Sequence, residues 1–261
     1  MTKPDHKSRA HSVVGASGYS RWSTCPGSVA LTADMPNTSS IHAATGTVAH
    51  EICELCLIDA HKLANSGDAY RFVRDTFQQE GYSITVDEEM ADAVNIYVET
   101  IIEDATDDAQ LFVEHKFHLK RLHEGLFGTN DAGLFFPKRK HLTIYDFKYG
   151  AGIPVRAKAN GQLLYYAIGA LEKLHEDHGA YVDTVELVVI QPRTSGEPVE
   201  RWSCDVMDVM DFAGELLAAV KRTEEPNAPL VAGSHCRFCP ANGKCAGQLQ
   251  QAMAAAKAEF A

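Results

Sequence analysis

Residues 128–148 decide the fold, and they read GTNDAGLFFPKRKHLTIYDFK. Aromatic and β-branched residues are dense on both sides of the turn Pro137–Lys140. That composition is typical of strands, and a short charged turn containing proline is typical of the link between two of them. The segment therefore predicts two adjacent strands, over Gly125–Phe136 and His141–Phe147, within a sheet.

The same segment carries the residues with chemical potential. Asp131 lies on the first predicted strand, and Asp146 and Lys148 lie at the end of the second. Side chains two positions apart on a strand share a face, so Asp146 and Lys148 are expected to project together. Carboxylates are hard ligands that suit Mg²⁺ or Mn²⁺, and an ammonium offsets charge on a phosphate. Asp-x-Lys alone also fits an ordinary surface strand that alternates charges.

The rest of the chain predicts an α/β (α+β) fold, a central mixed β-sheet flanked by helices. Residues 1–16 are expected to be a flexible leader, and 17–261 a single domain. The other predicted strands are Leu111–Phe117, Thr184–Ile190 and Val199–Cys204, and the predicted helices are Thr47 (as N-cap) to about Ala64, Asp87–Asp104, Ala157 to about His175, and Val206–Arg222.

Charge and hydropathy limit the class of protein. The net charge of −11 argues against a protein that coats nucleic acid indiscriminately. Between Lys116 and Lys158, however, nine Lys or Arg accompany only three Asp or Glu. This basic segment is either a phosphate-facing surface or a solvated charged hairpin. No apolar run approaches the length of a membrane span and no signal peptide is evident, so a cytoplasmic protein with no membrane partner is expected.

Four motifs together give the sequence a resemblance to a known family. They are Gly46-Thr-Val-Ala-His50, Gly128-Thr-Asn-Asp131, Asp146-Phe-Lys148 and Gln162-Leu-Leu-Tyr-Tyr166-Ala, in that order along the chain. The sequence resembles the RecB-like branch of the PD-(D/E)XK nuclease superfamily. The resemblance implies a restriction-endonuclease-like core, with the motifs on helix, strand, strand and helix. The chain departs from the family's name at one position, where Asn130 replaces the proline.

The resemblance also implies roles for the matching residues. His50, Asp131 and Asp146 would ligate Mg²⁺ or Mn²⁺, assisted by the backbone carbonyl of Phe147. Lys148 would be the catalytic lysine. Gln162 and Tyr166 would face the site and contact DNA or the reacting phosphate. Each has a plainer reading as a helix residue, and Glu114 on the preceding strand stands outside the assigned set.

A cysteine motif follows the predicted domain core. Cys236, Cys239 and Cys245 form a C-x₂-C-x₅-C pattern, which is a metal-ligand spacing that needs a fourth ligand from elsewhere. Cys25 is the best candidate. The iron–sulfur branch of the RecB-like nucleases, such as the AddB nuclease domain and the CRISPR adaptation nucleases, has one cysteine before the core and three after it. This resemblance implies a 4Fe-4S cluster, with residues 233–247 closing onto the region of Cys25.

Several alternatives stay open at the level of sequence. Zinc suits four cysteines equally well by spacing, and His235 could replace one thiolate. The segment Ser17–Ser28 resembles the start of a bacteriophage family within the superfamily, which implies DNA recombination or processing in the host cytoplasm. A phage single-strand annealing or single-strand-binding protein is then an expected partner. We expect a metal-dependent deoxyribonuclease, more exonucleolytic than site-specific. The alternatives are a non-catalytic DNA-binding or recombination-assembly protein with a structural Cys₄ zinc site, and a zinc-dependent interaction module.

Overall fold

The computed structural model describes residues 12–36, 39–63, 67–106 and 108–259. Seven strands are described: β1 Thr76–Gln79, β2 Tyr82–Thr85, β3 Gln110–His118, β4 Phe127–Phe136, β5 His141–Phe147, β6 Thr184–Ile190 and β7 Val199–Asp205. The α-helices are α1 Tyr19–Thr24, α2 Ser28–Thr32, α3 Ile41–Leu63, α4 Glu88–Asp104, α5 Gly161–His178, α6 Val206–Thr223 and α7 Ala246–Glu259. Every strand that the sequence predicts is present, with ends that agree to within two residues.

The five longer strands form one mixed sheet in the order β3-β4-β5-β6-β7. β5 and β6 pair in parallel, and the other neighbours pair antiparallel. The parallel pair requires a crossover connection, and α5 provides it. The prediction of an α/β fold with a mixed sheet flanked by helices is confirmed. A separate two-stranded hairpin, β1–β2, was not predicted.

Helices cover both faces of the sheet, which is why its strands are apolar on both sides. α3, α4 and the β1–β2 hairpin cover one face, where Ile52, Tyr97 and Phe147 are fully buried. α1, α5 and α6 cover the other face, where Trp22 and Tyr165 are fully buried. Burying such side chains contributes on the order of 2 kcal/mol each. Within the described ranges, none of the helices combines the length and apolarity that a membrane span requires.

Two helices begin at residues other than those predicted. α3 begins six residues earlier than expected, and the Ser40 hydroxyl accepts a hydrogen bond from the Ala43 amide at 3.2 Å. The Thr47 hydroxyl instead donates to the Ala43 carbonyl inside the helix at 3.1 Å. Thr47 is therefore not an N-cap, and that prediction is wrong. α5 begins at Gly161 rather than Ala157. The end predicted at Ala64 lies outside the described residues.

The last part of the expected leader packs on the domain. Val14 and Ala16 are buried in the core beneath α5. The Gly15 carbonyl accepts a hydrogen bond of 2.9 Å from the Trp22 indole, and the Ser12 hydroxyl donates to the Gly125 carbonyl. The folded region thus includes residues from Ser12 onward, and residues 1–11 lie outside the described part.

Candidate active site

The two candidate carboxylates occupy opposed positions on neighbouring strands. The β4–β5 register pairs Ala132 with Tyr145, so Asp131 and Asp146 are the next opposed pair. One carboxylate oxygen of Asp131 accepts a hydrogen bond of 3.0 Å from the backbone amide of Phe147. That bond ties β4 to the end of β5 where regular pairing stops. The structure therefore brings both carboxylates and the Phe147 peptide to one end of the sheet.

His50 reaches this place from the opposite layer of the fold. α3 packs its apolar face, which includes Ile52, against the sheet and leaves His50 at the edge of that face. The Nδ1 atom of His50 lies 3.5 Å from the Oδ2 atom of Asp131. The imidazole also packs edge-on against the Phe147 ring, with centroids 5.4 Å apart. His50 is consequently a neighbour of Asp131, although 81 residues separate them in the sequence.

A hydrogen-bonded network joins Asp146 to α5. The Lys148 ammonium lies 3.0 Å from Oδ1 and 2.8 Å from Oδ2 of Asp146, and it donates to the Gln162 side-chain carbonyl at 3.1 Å. The Gln162 amide group donates to Asp146 at 2.9 Å and to the Tyr166 hydroxyl at 3.0 Å. Four of the six side chains that the resemblance implied at the site are thus joined in one hydrogen-bonded network.

The start of α5 is fixed by a side-chain cap. The Asn160 side-chain oxygen accepts hydrogen bonds from the amides of Gln162 at 3.0 Å and Leu163 at 3.3 Å. An asparagine cap of this kind satisfies amides that have no partner within the helix. It also fixes the first turn of α5, and so the position from which Gln162 extends toward Asp146.

Asp146 is a buried carboxylate whose pKa is subject to opposing influences. Its side chain is only 1% exposed. Burial raises the pKa of Asp146, the Lys148 ammonium opposes that rise, and the charge of Asp131 adds to it. His50 acts in the same direction as Lys148. Two carboxylates this close favour a bound cation, because a cation offsets both charges at once.

Tyr166 is held as a neutral phenol. Burial raises its pKa well above the ordinary value, and the charges of Asp131 and Asp146 raise it further. Its hydroxyl oxygen accepts a hydrogen bond from Gln162. Tyr166 therefore orients the Gln162 amide group toward Asp146 and keeps its own proton at neutral pH.

Glu114 was left outside the predicted site, yet its position on β3 is distinctive. It is the residue opposite Asp131, in a gap between the register pairs Val113–Ala132 and His115–Asn130. Its φ of 49° is in the left-handed region, which is rare for a non-glycine residue within a strand. The charge of Glu114 contributes to raising the pKa of Tyr166. Backbone strain of this kind clusters at functional sites. A sequence pattern carries no signal for it.

The donor set of the site suits a hard divalent cation. The two carboxylates are hard oxygen ligands of the kind that Mg²⁺ and Mn²⁺ prefer, whereas the imidazole is a softer nitrogen ligand. The buried Oδ2 atom of Asp146 is paired with the Lys148 ammonium at 2.8 Å but accepts no hydrogen bond of good geometry. In the arrangement shown, Asp146 is turned toward Lys148. Over the described ranges, no three His, Cys, Asp or Glu side chains form a ready-made metal cluster. A cation would therefore require Asp146 to turn from Lys148 toward Asp131 and His50.

The cysteine motif and Cys25 line one small cavity. All four predicted cysteines border it, together with Arg21 and His235. The amide of Val231 donates to the Cys25 sulfur at 3.2 Å, and the amide of Gly233 donates to the Cys236 sulfur at 3.4 Å. Backbone amides directed at sulfur are typical of the surroundings of metal-bound thiolates. The four cysteines, which include Cys239 and Cys245, are free thiols, and among the described residues no three of them are close enough to form a ready-made metal cluster.

Two segments that are distant in the sequence, around residues 25–28 and 228–245, meet at this cavity. The amide of Gly27 donates to the Pro229 carbonyl at 3.0 Å, next to the Val231–Cys25 contact. A Cβ at position 27 would lie 2.4 Å from the Ala228 carbonyl, so only glycine permits this approach. By contrast, the second C-x₂-C pair, Cys53 and Cys56, is buried inside α3 and faces the core.

A comparison with protein-family models places the chain in a family. The model of DUF2800, described as a protein of unknown function, matches residues 11–261. That range includes the candidate carboxylates, Lys148 and all four cysteines of the cavity. Because the match extends over nearly the whole sequence, the chain belongs to the DUF2800 family.

Proposed function

We propose that the protein is a divalent-metal-dependent DNA nuclease whose active site is the cluster around Asp131 and Asp146. The observation that carries this proposal is the convergence of residues from four elements on one end of the sheet. An imidazole, two carboxylates, an ammonium and an amide meet there from α3, β4, β5 and α5. Hydrolysis of a phosphodiester requires groups of these types.

Each side chain has a defined part in the proposed reaction. Lys148 has three N–H donors, of which Asp146 and Gln162 occupy two. The third is available to a phosphate oxygen or an attacking water, since the Lys148 side chain is 25% exposed. Gln162 holds Asp146 and Lys148 at fixed distances, and Tyr166 fixes Gln162. Lys148, Gln162 and Tyr166 are therefore held in place before DNA arrives, which lowers the cost of reaching the transition state.

His50, Asp131, Asp146 and the Phe147 carbonyl would hold the cation. A bound Mg²⁺ or Mn²⁺ would polarise the phosphate and lower the pKa of its bound water. The Phe147 amide keeps Asp131 in place by its 3.0 Å hydrogen bond, and the edge-on contact with Phe147 limits rotation of the His50 ring. These contacts support a cation site in which two ligands are already oriented.

End-labelled linear DNA, single- and double-stranded, tests the proposal with added Mg²⁺ or Mn²⁺. We expect wild type to degrade it and Asp131→Ala and Lys148→Ala to lose at least a hundredfold in rate, in line with the loss of an electrostatic stabiliser. A matched control is Lys173→Ala, which breaks the exposed ion pair with Asp177 on the same helix as Gln162. This control should keep wild-type activity.

Equal rates for all variants, or no cleavage by any of them, would refute the nuclease proposal. DNA binding by wild type without metal-dependent cleavage would favour a non-catalytic DNA-binding protein instead. The pattern of labelled products also distinguishes the two modes of attack. Mononucleotides released from the labelled end indicate an exonuclease, as we expect, and internal fragments indicate an endonuclease.

We also propose that the cysteine cavity holds a 4Fe-4S cluster with a structural role, with zinc as the alternative. Support comes from the four cysteines at one cavity and the amides directed at two of the sulfurs. Arg21 at the same cavity offsets negative charge on thiolates. Iron, sulfide and zinc analysis after anaerobic purification tests this, and zinc without iron would refute the cluster.

The proposed partners follow from the proposed chemistry. DNA is the substrate, and a phage single-strand annealing or single-strand-binding protein is a candidate associate in recombination in the host cytoplasm. Co-purification of the tagged protein with a co-expressed annealing protein tests the association. Recovery of the annealing protein only in the presence of DNA would show that DNA, and not a protein contact, joins them.

A further inference from the structure

The loop that leaves the candidate site is largely exposed but well fixed. It runs over residues 149–160 and joins Lys148 to Gln162, two residues of the site network. Residues 150–154 are all exposed, including the apolar side chain of Ile153 at 38%. An exposed loop with so little packing is ordinarily mobile, so whatever fixes its shape comes from outside it.

Gln191 is the main support of this loop. It follows β6 directly, and its side chain is only 5% exposed. Its amide group donates to the carbonyls of Gly150 and Ile153, each at 2.9 Å. Its side-chain oxygen accepts a hydrogen bond of 3.0 Å from the amide of Val155. One buried amide thus satisfies three backbone groups of the loop, as a strand partner would.

A second support lies on β7. A Glu200 carboxylate oxygen accepts a hydrogen bond of 3.1 Å from the Ala157 amide and lies 3.4 Å from the Arg156 guanidinium. The Asn160 side chain, which caps α5, also donates to the Arg156 carbonyl at 2.8 Å. Both ends of the loop are therefore fixed relative to the site, and its exposed middle part is presented at a fixed distance from Lys148.

The charge of the loop has one sign. Between Lys148 and Asn160 the sequence contains Arg156 and Lys158 and no acidic residue. The structure also separates this charge from the other basic residues of the segment 116–158. The turn Pro137–Lys140 lies at the far end of β5, seven residues or roughly 23 Å from Lys148.

Two of the three basic residues of that turn have local contacts, just as Arg156 of the loop has one with Glu200. Arg139 stacks on the Phe136 ring at 4.0 Å, and Lys140 pairs with Asp183 at 3.6 Å. The basic segment 116–158 therefore does not form one continuous phosphate-facing surface, because the turn and the loop lie at opposite ends of β5. Only the part at the loop adjoins the candidate site.

We propose that residues 150–158 form a DNA-strand-binding loop that holds the strand next to the phosphate to be cleaved. Arg156 and Lys158 contact backbone phosphates, and Ile153 packs against the face of an unpaired base. Gln191 is a positioning residue that keeps the loop in its binding shape. The inference rests on the proposed nuclease function, which supplies the DNA substrate. It adds that the loop is the binding surface and that the bound DNA strand is unpaired.

Binding can be measured without cleavage, by fluorescence anisotropy of a labelled 20-nucleotide single strand in EDTA. Each phosphate contact changes the logarithm of affinity by about 0.7 per tenfold change in salt, or roughly fivefold at 0.1 M salt. The double variant Arg156→Gln/Lys158→Gln should therefore weaken binding about 25-fold and reduce the salt slope by about 1.4. Lys138→Gln removes a cation from the distant turn and should leave binding unchanged.

Two further variants separate the apolar contact from the support. Ile153→Ser should weaken binding by the same factor at low and high salt, because an apolar contact is not screened. Gln191→Ala should raise the KM for single-stranded DNA about tenfold with less than a twofold change in kcat. A merely structural Gln191 would instead lower the thermal midpoint and reduce kcat and the active fraction together.

The two proposals fail in different ways. If wild type degrades DNA and the loop variants bind like Lys138→Gln, the loop inference is overturned and the nuclease function stands. The same conclusion follows if Ile153→Ser weakens binding to duplex DNA and to single-stranded DNA equally. If wild type neither binds nor degrades DNA, both proposals are overturned. Weaker binding confined to the loop variants, with the expected salt slopes, supports the loop.

Discussion

Lys148→Met tests the electrostatics of the site without any metal or DNA. The measurements are made in EDTA, so that no divalent cation is bound. In the structure the Asp146 side chain is 1% exposed and its nearest cation is Lys148. Methionine keeps most of the length and the apolar stem of lysine and removes the charge. The carboxylate of Asp146 then remains buried, and among the described residues its remaining hydrogen bond is the one from Gln162 at 2.9 Å. We expect a loss of stability, because a buried charge without its partner is costly.

The magnitude follows from the burial of the pair. Breaking a fully buried ion pair by removing one member costs about 3–5 kcal/mol. Lys148 is 25% exposed, so solvent screens part of the interaction and the expected loss falls to about 2 kcal/mol. For a chain of this size that loss corresponds to a decrease of roughly 4–8 °C in the thermal midpoint.

The loss depends on pH in a definite direction. Burial raises the pKa of Asp146 and Lys148 opposes the rise, so the substitution raises that pKa further. A carboxyl group with a raised folded-state pKa destabilises the protein above that pKa and has no effect below its unfolded value, near about 4. The difference between Lys148→Met and wild type should therefore be largest at pH 8 and shrink toward pH 4.

Thermal unfolding by circular dichroism at pH 8, 6 and 4.5 measures this difference. Lys173→Met is the matched control, since Lys173 pairs with Asp177 in solvent and should show little change. The double variant Lys148→Met/Asp146→Asn should regain the stability lost at pH 8, because the buried charge is gone. A pH-independent loss, or a double variant no more stable than Lys148→Met, would contradict the electrostatic account and point to packing.

Three further predictions concern other parts of the site. Asn160→Ala removes the α5 cap and should cost about 1 kcal/mol of unfolding free energy while also lowering kcat; Asp205→Ala, which removes the α6 cap, should cost a similar amount and spare the nuclease rate. Glu114 has a left-handed backbone, which costs a non-glycine residue about 1–2 kcal/mol, so Glu114→Gly should unfold at no lower temperature than wild type. Its cleavage rate should fall at least tenfold, because the substitution removes the Glu114 carboxylate opposite Asp131. Cys25→Ser should reduce the iron or zinc content measured by elemental analysis and lower the thermal midpoint, whereas Cys204→Ser, outside the cavity, should change neither.

The predictable part of the site was the part encoded locally. β4 and β5 are dense in aromatic and β-branched residues and are joined by a short turn, so antiparallel pairing was the expected outcome. Once the two strands pair, Asp131 and Asp146 become neighbours with little freedom. The placement of His50 beside them was implied only by resemblance, since it depends on how α3 packs on the sheet.

The start of α3 shows how tertiary packing alters a local signal. Ser40 and Thr47 are equally plausible caps by residue type. Ala44 is fully buried against the core, and Val48 one turn later is buried as well. This burial stabilises the helical turns before and after Gly46, so α3 begins at Ile41 and Ser40, rather than Thr47, caps it. The sequence alone gives no measure of that burial.

The β1–β2 hairpin escaped prediction because its pattern is weak. Each strand has four residues, and only Phe77 and Ile84 are buried. A period of two needs more than one buried residue per strand to be distinguished from a loop. Gln191 escaped for a different reason, because its hydrogen bonds cross 36 to 41 residues of sequence and involve the backbone of its partners. Backbone amides and carbonyls are the same for almost every residue type, so the sequence gives no sign of these contacts.

The meeting of two sequence-distant segments at the cysteine cavity has a consequence for biosynthesis. Cys25 leaves the ribosome 220 residues before Cys245. At about 5–20 residues per second, this interval is roughly 10–40 s. During that time the partners of Gly27 and Cys25, which are Pro229 and Val231, have not been made, so the Cys25 thiol stays open to oxidation. Assembly of the cavity therefore waits for residues 229–245, which makes it a late step in the folding of the chain.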